Sequence, residues 1–443
     1  MKSGLREAAA ALRSGSLSAR AYCQSALDCI RERDPQVRAW AALDARRALA
    51  LADGCDARLE LGRRSGKQPG ALHGIPIGIK DIIDTADLPT QMGSAVFEGH
   101  RPARNAPLVD RLLEAGAYVL GKTVTTEFAF MHPGKTRNPW NPAHTPGGSS
   151  SGSAAAVAAG MVPGAIGTQT NGSVIRPAAF CGVVGFKPSF GLIPCAGTLQ
   201  FSAALDQVGV FTRSVADAAA LASVLAGGSS IAPDTDTDRD TGPAERAPRI
   251  AFIAHYPWNA AQADAAAQFQ ATLRRLAAAG ASIGALHLPA AFDDARDVHG
   301  TIMVYEGARQ HAPLQARHRA LMSAALNAVI EQGLGILDAD YARALNRAVE
   351  LRAHALELFG QWDVIASLAA PDVAPARLDV TGDPSFCTLW SLAGSPALTL
   401  PTGLSAGGLP FGIQLAARTG ADDALLRFAR WCEQAIGYEH DPF

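Results

Sequence analysis

The chain of 443 residues is poor in lysine, net charge, aromatic side chains and long apolar runs, and each shortage excludes something. Its 39 basic and 41 acidic residues leave a formal charge of −2. No uniform positive field draws phosphates or an anionic membrane, so neither nucleic acid nor membrane is expected as a partner. The longest apolar stretch, residues 154–167, is broken by Gly and Pro and falls short of the ~20 residues that span a bilayer. The opening residues Met1 to Glu7 lack the apolar core of a signal peptide. Seven cysteines, Cys23, Cys29, Cys55, Cys181, Cys195, Cys387 and Cys432, include no C-x-x-C pair. That scatter fits neither a disulfide framework nor a zinc cluster, and it points to a reducing cytoplasm. Aromatic residues make up 6% and apolar residues 48%, the balance of a globular chain with a sizeable core rather than of a disordered one.

Familiar catalytic patterns are missing too. There is no H-E-x-x-H, no G-x-S-x-G with a following His, no Walker loop and no G-x-G-x-x-G turn. The eleven histidines are scattered, and a lone His73 or His132 reads as structural. Lysine is the informative shortage. Only six basic residues are lysine, and none follows Lys187. Surface charge here is built from arginine, so a lysine inside an apolar run calls for a reason, and Lys80 is such a residue.

Residues 1–64 read as helical, with Tyr22, Ala26, Cys29 and Ile30 on one face and Asp34-Pro35 as a stop. They are expected to pack as an N-terminal segment on one large domain covering residues 1–443. From His73 the pattern becomes strand (75–83), helix (108–116) and strand (118–122), which predicts an α/β core with a central mixed sheet surrounded by helices. Residues 147–153 have the composition of a flexible Gly/Ser linker. They run directly into an Ala-rich helix (154–159) and a strand (164–168), which predicts an ordered loop instead. A surface linker is placed at residues 227–248, polar, acidic and turn-rich. Beyond it the pattern gives a strand at 250–254, helices at about 260–279, 296–332 and 338–359, strands near 364–368 and 397–400, and a last amphipathic helix at 422–436. No repeat of 20 to 50 residues is present, which excludes a solenoid.

Three pieces carry chemistry. Lys80 lies in Gly74-Ile-Pro-Ile-Gly-Ile-Lys-Asp, where strand alternation buries it. Burial disfavours the ammonium, and a neutral amine is a competent base. The structural alternative is a buried ion pair with Asp81 or Asp84. Ser149 and Ser150 lie in Pro146-Gly-Gly-Ser-Ser-Ser-Gly, and Ser173 lies in Gly167-Thr-Gln-Thr-Asn-Gly-Ser-Val-Ile-Arg-Pro. Glycines let a backbone approach a ligand, and free N–H groups at a helix start can bind an oxyanion. As the alternative, Ser173 is simply an N-cap.

Together these pieces resemble the amidase signature family, whose members hydrolyse amides through a Ser, cis-Ser, Lys triad. Gly147-Gly-Ser-Ser-Ser-Gly-Ser and Thr168 to Pro177 look like the family's serine core and nucleophile segment. Ser149 stands 24 residues before Ser173 and 69 after Lys80, separations the family pattern permits. Segments at 121–129, 138–142, 182–191 and 408–415 are also similar, and the likeness runs from about residue 71 to 418. The resemblance implies Ser173 as nucleophile, Ser149 as the cis-serine relaying its proton and Lys80 as base. It implies an oxyanion hole from the N–H groups of Thr170, Asn171, Gly172 and Ser173, support from Ser150, and no metal or organic cofactor.

The sequence departs from the family at several points. Gln169 replaces an aspartate, Asn171 replaces a glycine and is expected to tolerate a left-handed backbone, Ser151 replaces a glycine, and Arg176 is displaced by one position. Phe128, Phe130, Met131, Phe190, Phe201 and Trp390 are candidates for an apolar substrate pocket, with core packing as the alternative for each. The expectation is a cytoplasmic amidase, a monomer or homodimer, acting on a small-molecule amide with an aryl or acyl group, with carbamate (urethane) and ester cleavage as variants. The rivals are the amide-cleaving component of a tRNA-dependent amidotransferase, working with a partner protein, and a noncatalytic binding scaffold.

Overall fold

The computed structural model describes residues 4–228 and 246–443. Among them eleven strands form one mixed sheet: β1 (Trp40–Leu43), β2 (Pro76–Lys80), β3 (Tyr118–Thr123), β4 (Gly164–Gln169), β5 (Val184–Lys187), β6 (Gln207–Thr212), β7 (Arg249–Phe252), β8 (Ser282–Ala285), β9 (Val364–Leu368), β10 (Ala397–Leu404) and β11 (Pro410–Ala416). Their order is β1-β3-β2-β4-β6-β5-β10-β11-β9-β7-β8. Two parallel groups, β3-β2-β4 and β9-β7-β8, flank an antiparallel centre. Strands β2, β3, β4, β5, β6 and β9 are buried along their whole length.

The parallel pairing of β2 with β4 positions the site. Ile79 lies opposite Ile166, so Lys80 emerges at the C-terminal end of β2 beside the last residues of β4. Ligand sites of open α/β sheets gather at such strand ends. Helix Ser151–Ala158 packs behind this edge with every residue buried. Its Gly152 lies so close to the chain that a Cβ would stand 2.3 Å from both the Ala39 carbonyl and the Val124 nitrogen. The Gly/Ser tract is therefore an ordered, buried loop running into a helix.

Several expected elements differ in detail. The N-terminal region holds three helices, Leu5–Ser14, Ala19–Val37 and Ala45–Ser65, but also strand β1. The second helix continues through Pro35 and ends at Val37, where the Asp34 carboxylate accepts the Ala39 N–H at 2.6 Å. The single helix expected over 296–332 is two, Ala295–His318 and Ala324–Leu334, because Ser323 caps the second by accepting from the Leu326 N–H. Strands β1, β5, β6, β8 and β11 add to the expected set; β1 is four residues of Trp, Ala and Leu, with no alternation to reveal it. The linker expected over 227–248 lies, but for its ends, outside the described residues. Among the described residues no helix is long and apolar enough to cross a membrane.

A second lysine, Lys122, is also fully buried. It donates to Ile83 O at 2.6 Å and Thr90 Oγ1 at 2.5 Å, and stands 3.7 Å from Asp81. Burial raises the Asp81 carboxyl to about 6 and lowers the Lys122 amine to about 8. Replacing Lys122 with Met would strand a buried carboxylate and is expected to cost roughly 3–5 kcal/mol near neutral pH in urea unfolding. Because Asp81 titrates upward from its usual range, the deficit should shrink at pH 5, where that group becomes protonated.

Candidate active site

Lys80 is completely buried, and its partners are hydroxyls rather than carboxylates. Nζ donates to Ser149 Oγ at 2.7 Å and to Thr168 Oγ1 at 2.8 Å. Asp81, an alternative ion-pair partner from the sequence, faces Lys122 instead. Burial lowers the Lys80 amine from the ordinary lysine range to about 7, opposed by the negative charge of Asp206. An amine that is substantially neutral near pH 7, 2.7 Å from a hydroxyl, can accept that hydroxyl's proton.

Ser149 follows a cis peptide bond from Gly148. Gly147 precedes it with φ +81°, packed so that a Cβ would lie 2.8 Å from Pro177 Cα, a position only glycine fills without strain. Arg176, buried within the nucleophile segment, donates to Gly148 O at 2.7 Å, to Gly382 O at 2.9 Å and to Thr381 Oγ1 at 3.2 Å. The guanidinium displaced by one position thus braces the peptide that presents Ser149. Ser150 bridges to β4, donating to Thr168 O at 3.2 Å and accepting from Thr168 N at 3.3 Å.

Ser173 stands just before helix Ile175–Cys181 but does not cap it. Gln169 takes that part: its Oε1 accepts from Val174 N at 2.8 Å and Ile175 N at 3.0 Å, and its Nε2 donates to Ser391 Oγ at 2.9 Å. The amide in place of a carboxylate thereby satisfies two of the orphan donors of a helix start and releases the Ser173 hydroxyl from capping. Asn171 does not adopt a left-handed backbone, so the tolerance expected of it there is not called on. Its Oδ1 accepts from Thr388 Oγ1 at 2.9 Å, so its side chain ties the turn to the neighbouring helix. Thr170 donates from Oγ1 to Asp206 Oδ1 at 2.5 Å, and its carbonyl meets His299 Nε2 at 3.1 Å. Burial holds His299 down at about 4, hence neutral.

Thr170, Asn171, Gly172 and Ser173 open into a cavity of about 100 Å³, walled by Phe130, Met131, Phe201, Met303 and Pro384. Three of the six aromatic and methionine candidates, Phe130, Met131 and Phe201, line it. The other three do not. Phe128 is buried between Phe97 and His311, Trp390 is buried beside Phe359, and Phe190 is 40% exposed beside Arg352. Aromatic content alone cannot separate wall from core, since both are apolar. The structure brings Lys80, Ser149 and Ser150 into one hydrogen-bonded cluster through Thr168 and puts Ser173 in the turn that follows Thr168 and Gln169, although the Ser173 hydroxyl makes no hydrogen bond among the described residues. Sequence reasoning missed Thr168, Asp206, His299, Met303 and Pro384. Of these only Thr168 carries a local signal, lying beside Gln169 in a segment already singled out.

A family model described as Amidase matches residues 21–426. The A subunit of glutamyl-tRNA(Gln) amidotransferase from Anaeromyxobacter sp. (strain K) is 34% identical, over 98% of this chain and 96% of that protein. A crystal structure of an amidase superposes with a TM-score of 0.88 at 30% identity, covering 98% of this chain and 99% of the other. The native peptide amidase from Stenotrophomonas maltophilia superposes with a TM-score of 0.84 at 31% identity, covering 100% of this chain and 98% of the other. The tRNA in the first relative's name overturns the expectation of no nucleic-acid partner, and its being one subunit among others overturns that of a lone monomer or homodimer. Net charge sums the whole surface and reports neither local patches nor what a partner protein contributes.

Replacing Gln169 with Leu would leave the buried Val174 and Ile175 N–H groups without acceptors. A loss of roughly 1–3 kcal/mol is expected in chemical unfolding, and an unchanged midpoint would mean that another group caps the helix.

Proposed function

The chain belongs to the amidase signature family, and on that premise we propose that it cleaves an amide C–N bond through an acyl-enzyme on Ser173. The observation that carries this reading is the contact of the buried, hydroxyl-bound Lys80 amine with Ser149, at 2.7 Å. In the proposed sequence, Ser173 Oγ attacks the amide carbonyl and gives its proton to Ser149 Oγ, while Ser149 passes its own proton to neutral Lys80. The N–H groups of Thr170, Asn171, Gly172 and Ser173 are the proposed donors to the developing oxyanion, where single donors are worth ~10²–10³ in rate. The proton then returns from Lys80 through Ser149 to the departing nitrogen. Water, or another nucleophile, resolves the ester on Ser173. Ser150 and Gln169 are positioning residues, one holding the serine loop to β4 and the other holding the turn.

Two fates of the released nitrogen separate the readings. The apolar wall of Phe130, Phe201, Met303 and Pro384 supports hydrolysis of an amide carrying an aryl or other apolar group, with aryl carbamates and esters as variants. Among the described residues lining that cavity, Arg176 is the one charged side chain and none is acidic, so the α-ammonium of glutamine has no carboxylate there to pair with. The name of the amidotransferase relatives supports the other reading, in which this chain is the amide-cleaving component of a tRNA-dependent amidotransferase and hands ammonia to a partner. That second reading is the one the sequence relatives favour.

The deciding measurement is nitrogen release from acyl anilides, aryl carbamates, matched esters, primary amides and L-glutamine, with Ser173→Ala alongside. Turnover of aryl amides by the lone chain supports the hydrolase. Glutamine cleavage that appears only with a partner protein and charged tRNA supports the amidotransferase. In either case Ser173→Ala should lose more than about 10³-fold, and retained turnover would remove Ser173 as nucleophile. Because the Lys80 amine is lowered to about 7, the base form accumulates as pH rises. The rate of the chemical step should climb through about pH 7 and level off above it, and a profile flat from pH 6 to 9 would remove Lys80 as the base.

A further inference from the structure

Gly307 lies buried in the middle of helix Ala295–His318. A glycine inside a helix is less stable there than alanine, so its presence points to a packing constraint. A Cβ at this position would stand 2.3 Å from Cε1 and 2.5 Å from Cζ of Phe201, far inside the ~3.5–4.0 Å at which carbon atoms rest against each other. The Phe201 ring occupies the space that a side chain at 307 would take. It also stacks on Phe130, with centroids 4.8 Å apart and planes within 5°, and both rings line the cavity that holds Ser173.

The backbone carrying Phe201 is held at several points. Asp206 Oδ2 accepts from Phe201 N at 2.6 Å and Ser202 N at 3.0 Å. Glu306, the residue before Gly307, accepts from Ala204 N at 3.1 Å and from the Ser202 hydroxyl. The same helix turn therefore clamps the loop and makes room for its aromatic ring. With the backbone held, a side chain at 307 displaces the ring rather than the loop.

We propose that Gly307 is a positioning residue for substrate choice: by leaving room for the Phe201 ring against the helix, it keeps the cavity beside Ser173 open to a planar apolar group, an aryl ring being the class that fits the Phe130 and Phe201 wall. This rests on Ser173 as the nucleophile. The test uses two sulfonyl fluorides that differ in size, phenylmethanesulfonyl fluoride and methanesulfonyl fluoride. With each, Ser173 Oγ forms a bond to sulfur, fluoride leaves and the hydroxyl proton passes to solvent. Labelling rates are read on the intact full-length protein by mass spectrometry.

Gly307→Ala is expected to lower the ratio of phenylmethane to methane labelling by about tenfold or more, the scale of discrimination that small changes in an apolar pocket produce, with the methane rate nearly unchanged. Adding Phe201→Leu, which trims the ring that a Cβ strikes, should restore the ratio. If Gly307→Ala alone does not fold, recovery of folded protein and of the ratio in the double variant supports the proposal equally, and a double variant that also fails overturns it. An unchanged ratio in folded Gly307→Ala overturns it, as does an equal loss with both reagents that Phe201→Leu does not rescue. Failure of the underlying reading is distinguishable: the unmodified protein would then react with neither reagent at Ser173, and the proposal would fall with it.

Discussion

Burying the amine of Lys80 among neutral hydroxyls is the constraint around which the rest of the site is arranged. An ammonium in that position loses its hydration and gains no adjacent carboxylate, so its proton is held weakly. Ser149 and Thr168 satisfy it with hydrogen bonds that keep the amine in place in either protonation state. Lys122 shows the contrasting solution one strand away. It too is fully buried, but Asp81 and the Ile83 carbonyl face it, and the lowering by burial is opposed by the negative charge of Asp81, so it stays nearer the usual lysine range. Lys187, a third fully buried lysine, is lowered to about 7 as well but donates only to the Pro188 and Ser395 carbonyls and Gln207 Oε1, so what sets Lys80 apart is the serine hydroxyl within reach of its amine.

Two segments bring hydroxyls to that amine. Parallel pairing of β2 with β4 puts Thr168 beside Lys80. The 147–150 loop delivers Ser149 from the opposite side, held by the buried Arg176 through the Gly148 carbonyl. Gln169 caps the following helix and so leaves the Ser173 hydroxyl free of that task. Asp206 anchors both the turn after β4, through Thr170, and the cavity wall, through the Phe201 and Ser202 N–H groups. A single carboxylate thus couples the geometry of the chemistry to the shape of the cavity.

The cavity itself is assembled from distant stretches of chain. Phe130 comes from the turn after β3, Phe201 from the loop before β6, Met303 from the helix Ala295–His318 and Pro384 from the segment before helix Thr388–Leu392. The Asp206 and Glu306 contacts tie the Phe201 loop to the Thr170 turn and to helix Ala295–His318.

Local order was sufficient for much of this to be read from the sequence. An apolar run ending in lysine signals a buried amine in a chain that otherwise uses arginine, and glycines flanking serines signal a backbone that approaches closely. The α/β alternation signals a sheet with strand ends on which to place them. Contacts between segments far apart in sequence were not legible. Nothing near Phe128 or Trp390 distinguishes a core ring from a pocket wall, because burial in either place selects the same apolar surface. Nothing near Asp206, His299 or Gly307 marks a role, because each acts through a partner on a distant stretch of chain: Thr170 for Asp206 and His299, Phe201 for Gly307. The family, the fold class and the candidate triad were legible in the amino-acid order alone, since these rest on short patterns with fixed chemistry. Which buried lysine meets a serine hydroxyl, what caps helix Ile175–Cys181 and which rings face the cavity came from the folded structure, since these depend on long-range packing that no local pattern encodes.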